Sequence, residues 1–263
     1  MSKFGIFPFG NKVQPVVQKD QTPKDVFILG VYASAVHARW IGPDGKTRVT
    51  ALAVASEPEI FWRGENAKEI IQGINISQPL GQLVPAAQNL NGPSGRSIDE
   101  EYLDPLGLNR SDVWLSDIYP FTHMNEGQET AIKREYLPHM DEFGLPRSTL
   151  KPAPTTEPGK KRREEIWQQF IRSKASTLIL LGDKPIAWFL SFLVPEFDRL
   201  SDFGDIPERY GRMHSYEIRD KKVKILPLVH PRQASRLGAS SSKWSEIHQL
   251  WKSNVAGGLF DNA

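Results

Sequence analysis

Val223-Lys224-Ile225-Leu226-Pro227-Leu228-Val229 is a short, largely apolar run that stops at His230. A run of this kind, bounded by a polar residue, reads as a strand buried on both faces of a sheet. Three more share the pattern: Val26-Phe27-Ile28-Leu29-Gly30-Val31, which stops at glycine; Val113-Trp114-Leu115-Ser116 before Asp117; and Thr177-Leu178-Ile179-Leu180-Leu181 before Gly182. Between them lie segments of helical character at 66–73, 128–137, 162–175, 185–192 and 241–254. In the third, Ile166, Trp167, Phe170 and Ile171 make an apolar stripe suited to packing on a sheet. The last helix has Ser240, Ser241 or Ser242 as its N-cap and Trp244, Ile247, His248 and Trp251 along one side. Buried strands alternating with helices predict an α/β fold, a three-layer α/β/α sandwich around a central, mainly parallel four-stranded sheet. Ligands in such sheets bind at the carboxyl ends of the strands. The residues from Gly30, Asp117, Gly182 and His230 onward are therefore expected to share one rim.

The 263 residues are enough for one large domain. The expectation is a single domain over 26–263, preceded by an arm over 1–25 that lies on the surface or is partly disordered. Lys151 to Gly159 is a Pro-rich linker, and 121–150 reads as an insertion on the same rim. Lys and Arg number 33 against 31 Asp and Glu, a net +2, so bulk charge advertises no polyanion. Cysteine is absent, which excludes disulfides, thiolate nucleophiles, Cys-ligated zinc and Cys-bound iron–sulfur clusters. No apolar run approaches the roughly 20 residues of a membrane span. Pro8, Gly10 and Pro15 interrupt the N-terminus where a signal peptide stays apolar, so a cytoplasmic location is expected. GxxxxGK[ST], GxGxxG, HExxH and GxSxG are missing, and the six histidines show no metal-ligand spacing. The expectation is chemistry without cofactor or metal.

The rim segments carry further features. The first strand runs into Gly30-Val31-Tyr32-Ala33-Ser34-Ala35-Val36-His37. Leu90-Asn91-Gly92-Pro93-Ser94-Gly95-Arg96 precedes Leu106-Gly107-Leu108, and the last strand delivers His230-Pro231-Arg232-Gln233-Ala234-Ser235-Arg236. In order and spacing these resemble the uracil-DNA glycosylase superfamily, over residues 26 to 254. Its members have a motif closing the first strand, a Gly-x-Ser-Gly-like loop before a helix, a strand ending in Asn or Asp, and a late His-Pro. The His-Pro after an apolar strand is the most specific part.

The resemblance implies a monofunctional DNA glycosylase, acting as a monomer on a nucleotide flipped out of DNA. It makes His230 the donor that stabilises the departing base. Gly30, Val31, Ala33, Ser34 and Leu90 would line the base pocket, with Tyr32 shaping it. Asp117 would orient water or accept from the base, and Ser94, Arg96, Arg232, Ser235 and Arg236 would hold phosphates. Tyr32 stands where many relatives have a carboxylate or Asn, Ala33 where they have Pro, Leu90 where an aromatic stacks on the base, and Ala234 where an apolar wedge enters the duplex. These departures favour a modified pyrimidine over uracil. Absent cysteines set the chain apart from the iron–sulfur branches of the superfamily.

Blander readings stand beside these. His230 alone is an ordinary strand-end residue, Asp117 suits a turn, Ser94 and Arg96 suit a helix cap, and His37, His123, His139, His214 and His248 read as structural. The second class of function is a catalytically inactive nucleic-acid or nucleotide-binding module. Charge distribution favours DNA: from Arg212 to Lys243, eight basic residues face Glu217 and Asp220, a net +6, whereas 98–145 holds eleven acids and three basic residues, a net −8.

Overall fold

A computed structural model describes residues 4–76, 78–236 and 242–260. Among these residues run eight strands: β1 (Val26–Tyr32), β2 (Ala35–Ile41), β3 (Thr47–Ser56), β4 (Gln82–Pro85), β5 (Val113–Tyr119), β6 (Thr177–Leu181), β7 (His214–Ile218) and β8 (Lys221–Leu228). They form a five-stranded sheet in the order β5-β1-β6-β8-β7 and a three-stranded sheet in the order β3-β2-β4. The larger sheet is mainly parallel, as the four apolar runs predict. β1 pairs with β6, Leu29 opposite Leu180, and β6 pairs with β8, Leu181 opposite Leu228. Gly182 and His230 therefore follow their strands at the same edge, toward which β1 runs on through Gly30 to Tyr32.

The sheet has five strands, not the expected four. β7 adds antiparallel to β8, with His214 opposite Ile225 and Ile218 opposite Lys221. Its sequence, His-Ser-Tyr-Glu-Ile, alternates half-buried and exposed residues, the signature of an edge strand and not of an apolar run.

The chain divides into two compact units. One combines Met1–Val16, Tyr32–Gly95 and Pro120–Thr155; the other combines Val17–Val31, Arg96–Tyr119 and Thr156–Ala263 and contains the larger sheet. In the first unit β2 and β3 form a hairpin across Gly42-Pro43-Asp44-Gly45, where Gly45 takes φ +77 and Gly42 N–H donates to the Lys46 carbonyl at 2.8 Å. Trp40 lies at the centre of this unit's core, with the Phe9 ring edge-on at 5.4 Å and Tyr136 at 6.3 Å. Tyr136 Oη accepts from Phe9 N–H at 3.1 Å and donates to the Pro146 carbonyl at 2.8 Å. The stretch read as a surface arm thus contributes Phe7, Phe9 and Val13 to a core. Its aromatic residues have no period, so periodicity gives no sign of their burial.

In the second unit the helix Lys160–Ser173 buries Ile166, Trp167, Phe170 and Ser173, and Phe170 meets the Phe27 ring of β1 edge-on at 5.7 Å. Complete burial of a side chain such as Phe170 contributes about 1.5–3 kcal/mol. Ile171, placed on the same stripe by spacing, is 38% exposed. The last helix spans Ser242–Asn254, so Ser242 is its first described residue, while Ser240 and Ser241 lie outside the described residues. Among the described residues no helix is long and apolar enough to cross a membrane.

Candidate functional site

His230 is the N-cap of the short helix Pro231–Ala234, and Pro231 at the first helical position suits that start. Its Nδ1 accepts from Arg232 N–H at 3.2 Å, and its own N–H donates to Gln233 Oε1 at 3.3 Å. Burial, reinforced by the charges of Arg232 and Lys184, pushes the His230 pKa down to about 4. At neutral pH the imidazole is uncharged. With Nδ1 acting as an acceptor, its proton resides on Nε2. The sequence and this cap together yield a neutral histidine whose donor is Nε2–H.

Gly182 is built against it. Gly182 N–H donates to the Leu228 carbonyl at 2.7 Å, its φ is +85°, and a Cβ there would fall 3.1 Å from His230 Cβ. With ψ at −175° this is backbone that only glycine adopts readily. Gly182→Ala is expected to cost about 1–3 kcal/mol in stability and to displace His230. An unchanged denaturant midpoint would contradict this.

Asp117 lies on β5, 3% exposed. Its Oδ1 is buried and has no hydrogen-bond partner among the described residues. Burial raises its pKa to about 7, against the opposing pull of the Arg162 guanidinium. Arg162 donates to backbone, Nη2 to the Asp117 carbonyl at 2.8 Å and Nε to the Ile118 carbonyl at 2.9 Å, and its Nη1 donates to Glu165 Oε2 at 3.3 Å. Asp117 is a carboxyl poised between its two protonation states near neutral pH, the condition a general base requires.

The first unit holds Tyr32, Ala33, Ser34, Leu90 and Ser94. Tyr32 and Ser34 line a cavity of about 40 Å³, with His37, Thr122, His123 and Gln128 among its other walls. That volume takes about one water. His37 Nδ1 is buried without a partner among the described residues, and burial lowers this histidine's pKa. Ala33 is buried; Leu90 is 37% exposed at the end of a 3-10 turn and faces solvent more than its expected place in a base pocket requires. The neighbouring Asn91 has the clearer role: its side chain accepts from His37 N–H at 2.8 Å and donates to the His37 carbonyl at 3.0 Å. The glycines of the Gly92-Pro-Ser-Gly loop are required by close packing of backbone. A Cβ at Gly92 would lie 2.0 Å from Arg63 C, and one at Gly95 would lie 2.2 Å from the Trp62 carbonyl oxygen.

Gly30 and Val31 are buried near the end of β1, and the expected phosphate-binding residues divide in their environments. Arg232 is exposed, Arg96 half-buried. Ser235 Oγ lies 2.6 Å from Ser97 Oγ, so this hydroxyl is committed internally. Arg236 Nε donates to Ser245 Oγ at 3.0 Å while its guanidinium stays largely exposed, 3.9 Å from Glu246. In the basic segment, Arg219 is held bidentate by Glu164 at 2.7 Å, and Lys243 pairs with Asp205 at 2.7 Å, whereas Lys222 and Lys224 are exposed on β8. Ala234, at the wedge position, is buried.

Two residues beside these sites escaped the sequence reading. Lys184 follows the Gly182 turn, and its ammonium lies 4.8 Å over the Trp188 ring and helps depress the His230 pKa. Its place two residues past a strand-ending glycine is the signal that marks it. Glu57 is buried at 7% exposure and accepts from Ser34 N–H at 3.2 Å, two residues beyond the place where the motif lacks a carboxylate. Nothing local in the sequence links positions 34 and 57. No protein-family model matches the sequence, and no curated protein matches it.

Proposed function

We propose that the protein is a monofunctional DNA glycosylase that hydrolyses the N-glycosidic bond of uracil or a modified pyrimidine and leaves an abasic site. One observation carries the reading: at the carboxyl edge of a mainly parallel sheet, His230 is held neutral with its proton on Nε2. A neutral imidazole donates a hydrogen bond to a base oxygen without surrendering its proton. That suits a leaving group that departs as an anion, just as preorganised donors suit an oxyanion. As the C–N bond breaks, its electron pair leaves with the base. Water oxygen bonds to the sugar carbon and Asp117 accepts the water proton. The resemblance in Gly30 to Ser34 and in His230-Pro231 supports the same reading, with Arg232 and Arg236 on phosphates.

A second reading, a nucleic-acid-binding module without catalysis, draws on a different observation. The cavity beside Tyr32 has room for a water and not for a pyrimidine ring, and the motif carboxylate is absent. End-labelled oligonucleotides carrying uracil or modified pyrimidines, incubated with the protein and then with alkali, separate the two. Scission at one lesion is the expected result. Binding without scission on every lesion favours the module. Arg236→Ala is expected to weaken binding to all sequences alike and to reduce the slope of log K against log salt by about 1. An unchanged slope removes Arg236 from the DNA surface.

A further inference from the structure

β8 ends at Leu228, so Val229 has no place in the strand ladder, yet both of its backbone polar groups are satisfied by buried phenols. Val229 N–H donates to Tyr210 Oη at 3.0 Å, and the Val229 carbonyl accepts from Tyr102 Oη at 2.7 Å. Tyr210 Oη lies 2.7 Å from His248 Nδ1, and His248 Nε2 lies 3.0 Å from the Glu101 carbonyl oxygen. A carbonyl oxygen only accepts, so Nε2 carries the His248 proton and Nδ1 is the acceptor. The Tyr210 hydroxyl therefore donates to His248 and accepts from Val229. Every direction in the chain from Val229 through Tyr210 and His248 to Glu101 is thereby determined. Rings hold the imidazole in place, Tyr102 at 4.9 Å and Trp251 at 5.0 Å, and burial keeps it uncharged, with a pKa of about 4.

Apolar side chains of the same shape would fill this core. Two phenols and an imidazole in a dry interior are costly unless every polar atom is matched. Here all are matched, and two of the bonds converge on the residue immediately before His230. We propose that Tyr102, Tyr210 and His248 are positioning residues for His230: by fixing the peptide on either side of Val229 they present the imidazole in one orientation. The inference rests on reading His230 as the donor to the departing base.

Tyr210→Phe removes one oxygen atom and leaves the ring. Its test is the ¹⁵N ring spectrum of His230, assigned by the signals lost in a His230→Asn variant, in wild type, Tyr210→Phe, Tyr102→Phe and the distant core variant Phe170→Leu. Expected are displaced or broadened His230 ring signals in both phenylalanine variants and wild-type signals in Phe170→Leu. On the lesion that wild type cleaves, kcat should fall about 10-fold to 100-fold in Tyr210→Phe with KM within about twofold, the scale of a small misplacement. His248→Phe on top of Tyr210→Phe should add little, because the two act in one chain. Unchanged His230 signals in both phenylalanine variants, or equal changes in Phe170→Leu, would overturn the proposal. If wild type cleaves no lesion, the glycosylase reading falls, while the ring spectra still decide whether these residues position His230.

Discussion

Replacement of His230 by alanine should lower base excision about 100-fold or more, the loss measured when a single donor to a developing anion is removed. The residue also caps the helix Pro231–Ala234 through its Nδ1, so alanine should in addition cost about 1 kcal/mol of stability. The two effects can be separated. Asparagine is among the best N-cap residues and can accept from Arg232 N–H, but its short side chain cannot set a donor where Nε2–H stands. His230→Asn should therefore keep nearly wild-type stability and show the same loss of excision as alanine. Single-turnover cleavage and urea denaturation of the two variants check this. Full activity in His230→Asn would show that the ring serves only as a cap, and the proposed chemistry would fall with it.

How far the sequence reveals these features depends on the kind of interaction behind each. The strands β1, β5 and β6 and the second half of β8 are covered on both faces, so each needs a run of apolar residues, and Val26–Val31 or Thr177–Leu181 shows it directly. β2 and β7 break their apolar residues with His37 and Arg39 or with Ser215 and Glu217, and such strands are found by alternation and turn chemistry instead. Pro43-Asp44-Gly45 is the readable sign of the β2–β3 hairpin. His230 is visible as the polar residue that stops a buried strand. Its tautomer is not, because that follows from Arg232 N–H and from burial, which exist only once the helix has folded against the sheet. Tyr102, Tyr210 and His248 are each unremarkable in their own segments and gain meaning only where the fold brings their oxygens and nitrogens to Val229. Glu57 reaches Ser34 in the same way.

Asp117→Asn should stabilise the protein at alkaline pH while it lowers excision. In the folded state the carboxyl titrates near 7, and in the unfolded chain near 3.8. Between those values the folded state binds more protons than the unfolded state, so this group makes stability fall as pH rises from about 4 to about 7, and the full loss persists above 7. The separation corresponds to about 4 kcal/mol. His230 acts with the opposite sign: its folded pKa of about 4 lies below the ordinary 6.5, so its part of the stability rises with pH between those values. Both contributions are present in the wild type, and only the first disappears in Asp117→Asn. The difference in unfolding free energy between the two proteins should therefore be constant below about pH 4, grow through pH 7 and level off at about 4 kcal/mol above its acid value. Any fixed cost of placing an amide in the site offsets this difference equally at every pH and cancels from its change with pH, so the test is the pH dependence and not the absolute stability. A difference that stays flat from pH 4 to pH 8 would show that Asp117 is ionised in the folded protein like an ordinary aspartate. Excision should move the other way. An amide at position 117 cannot take a proton from water, and a general base contributes about 100-fold or more to a rate. A site that keeps a carboxyl buried at a cost in stability, one oxygen of it without a hydrogen-bond partner among the described residues, and loses rate when that cost is removed, holds the group for its chemistry.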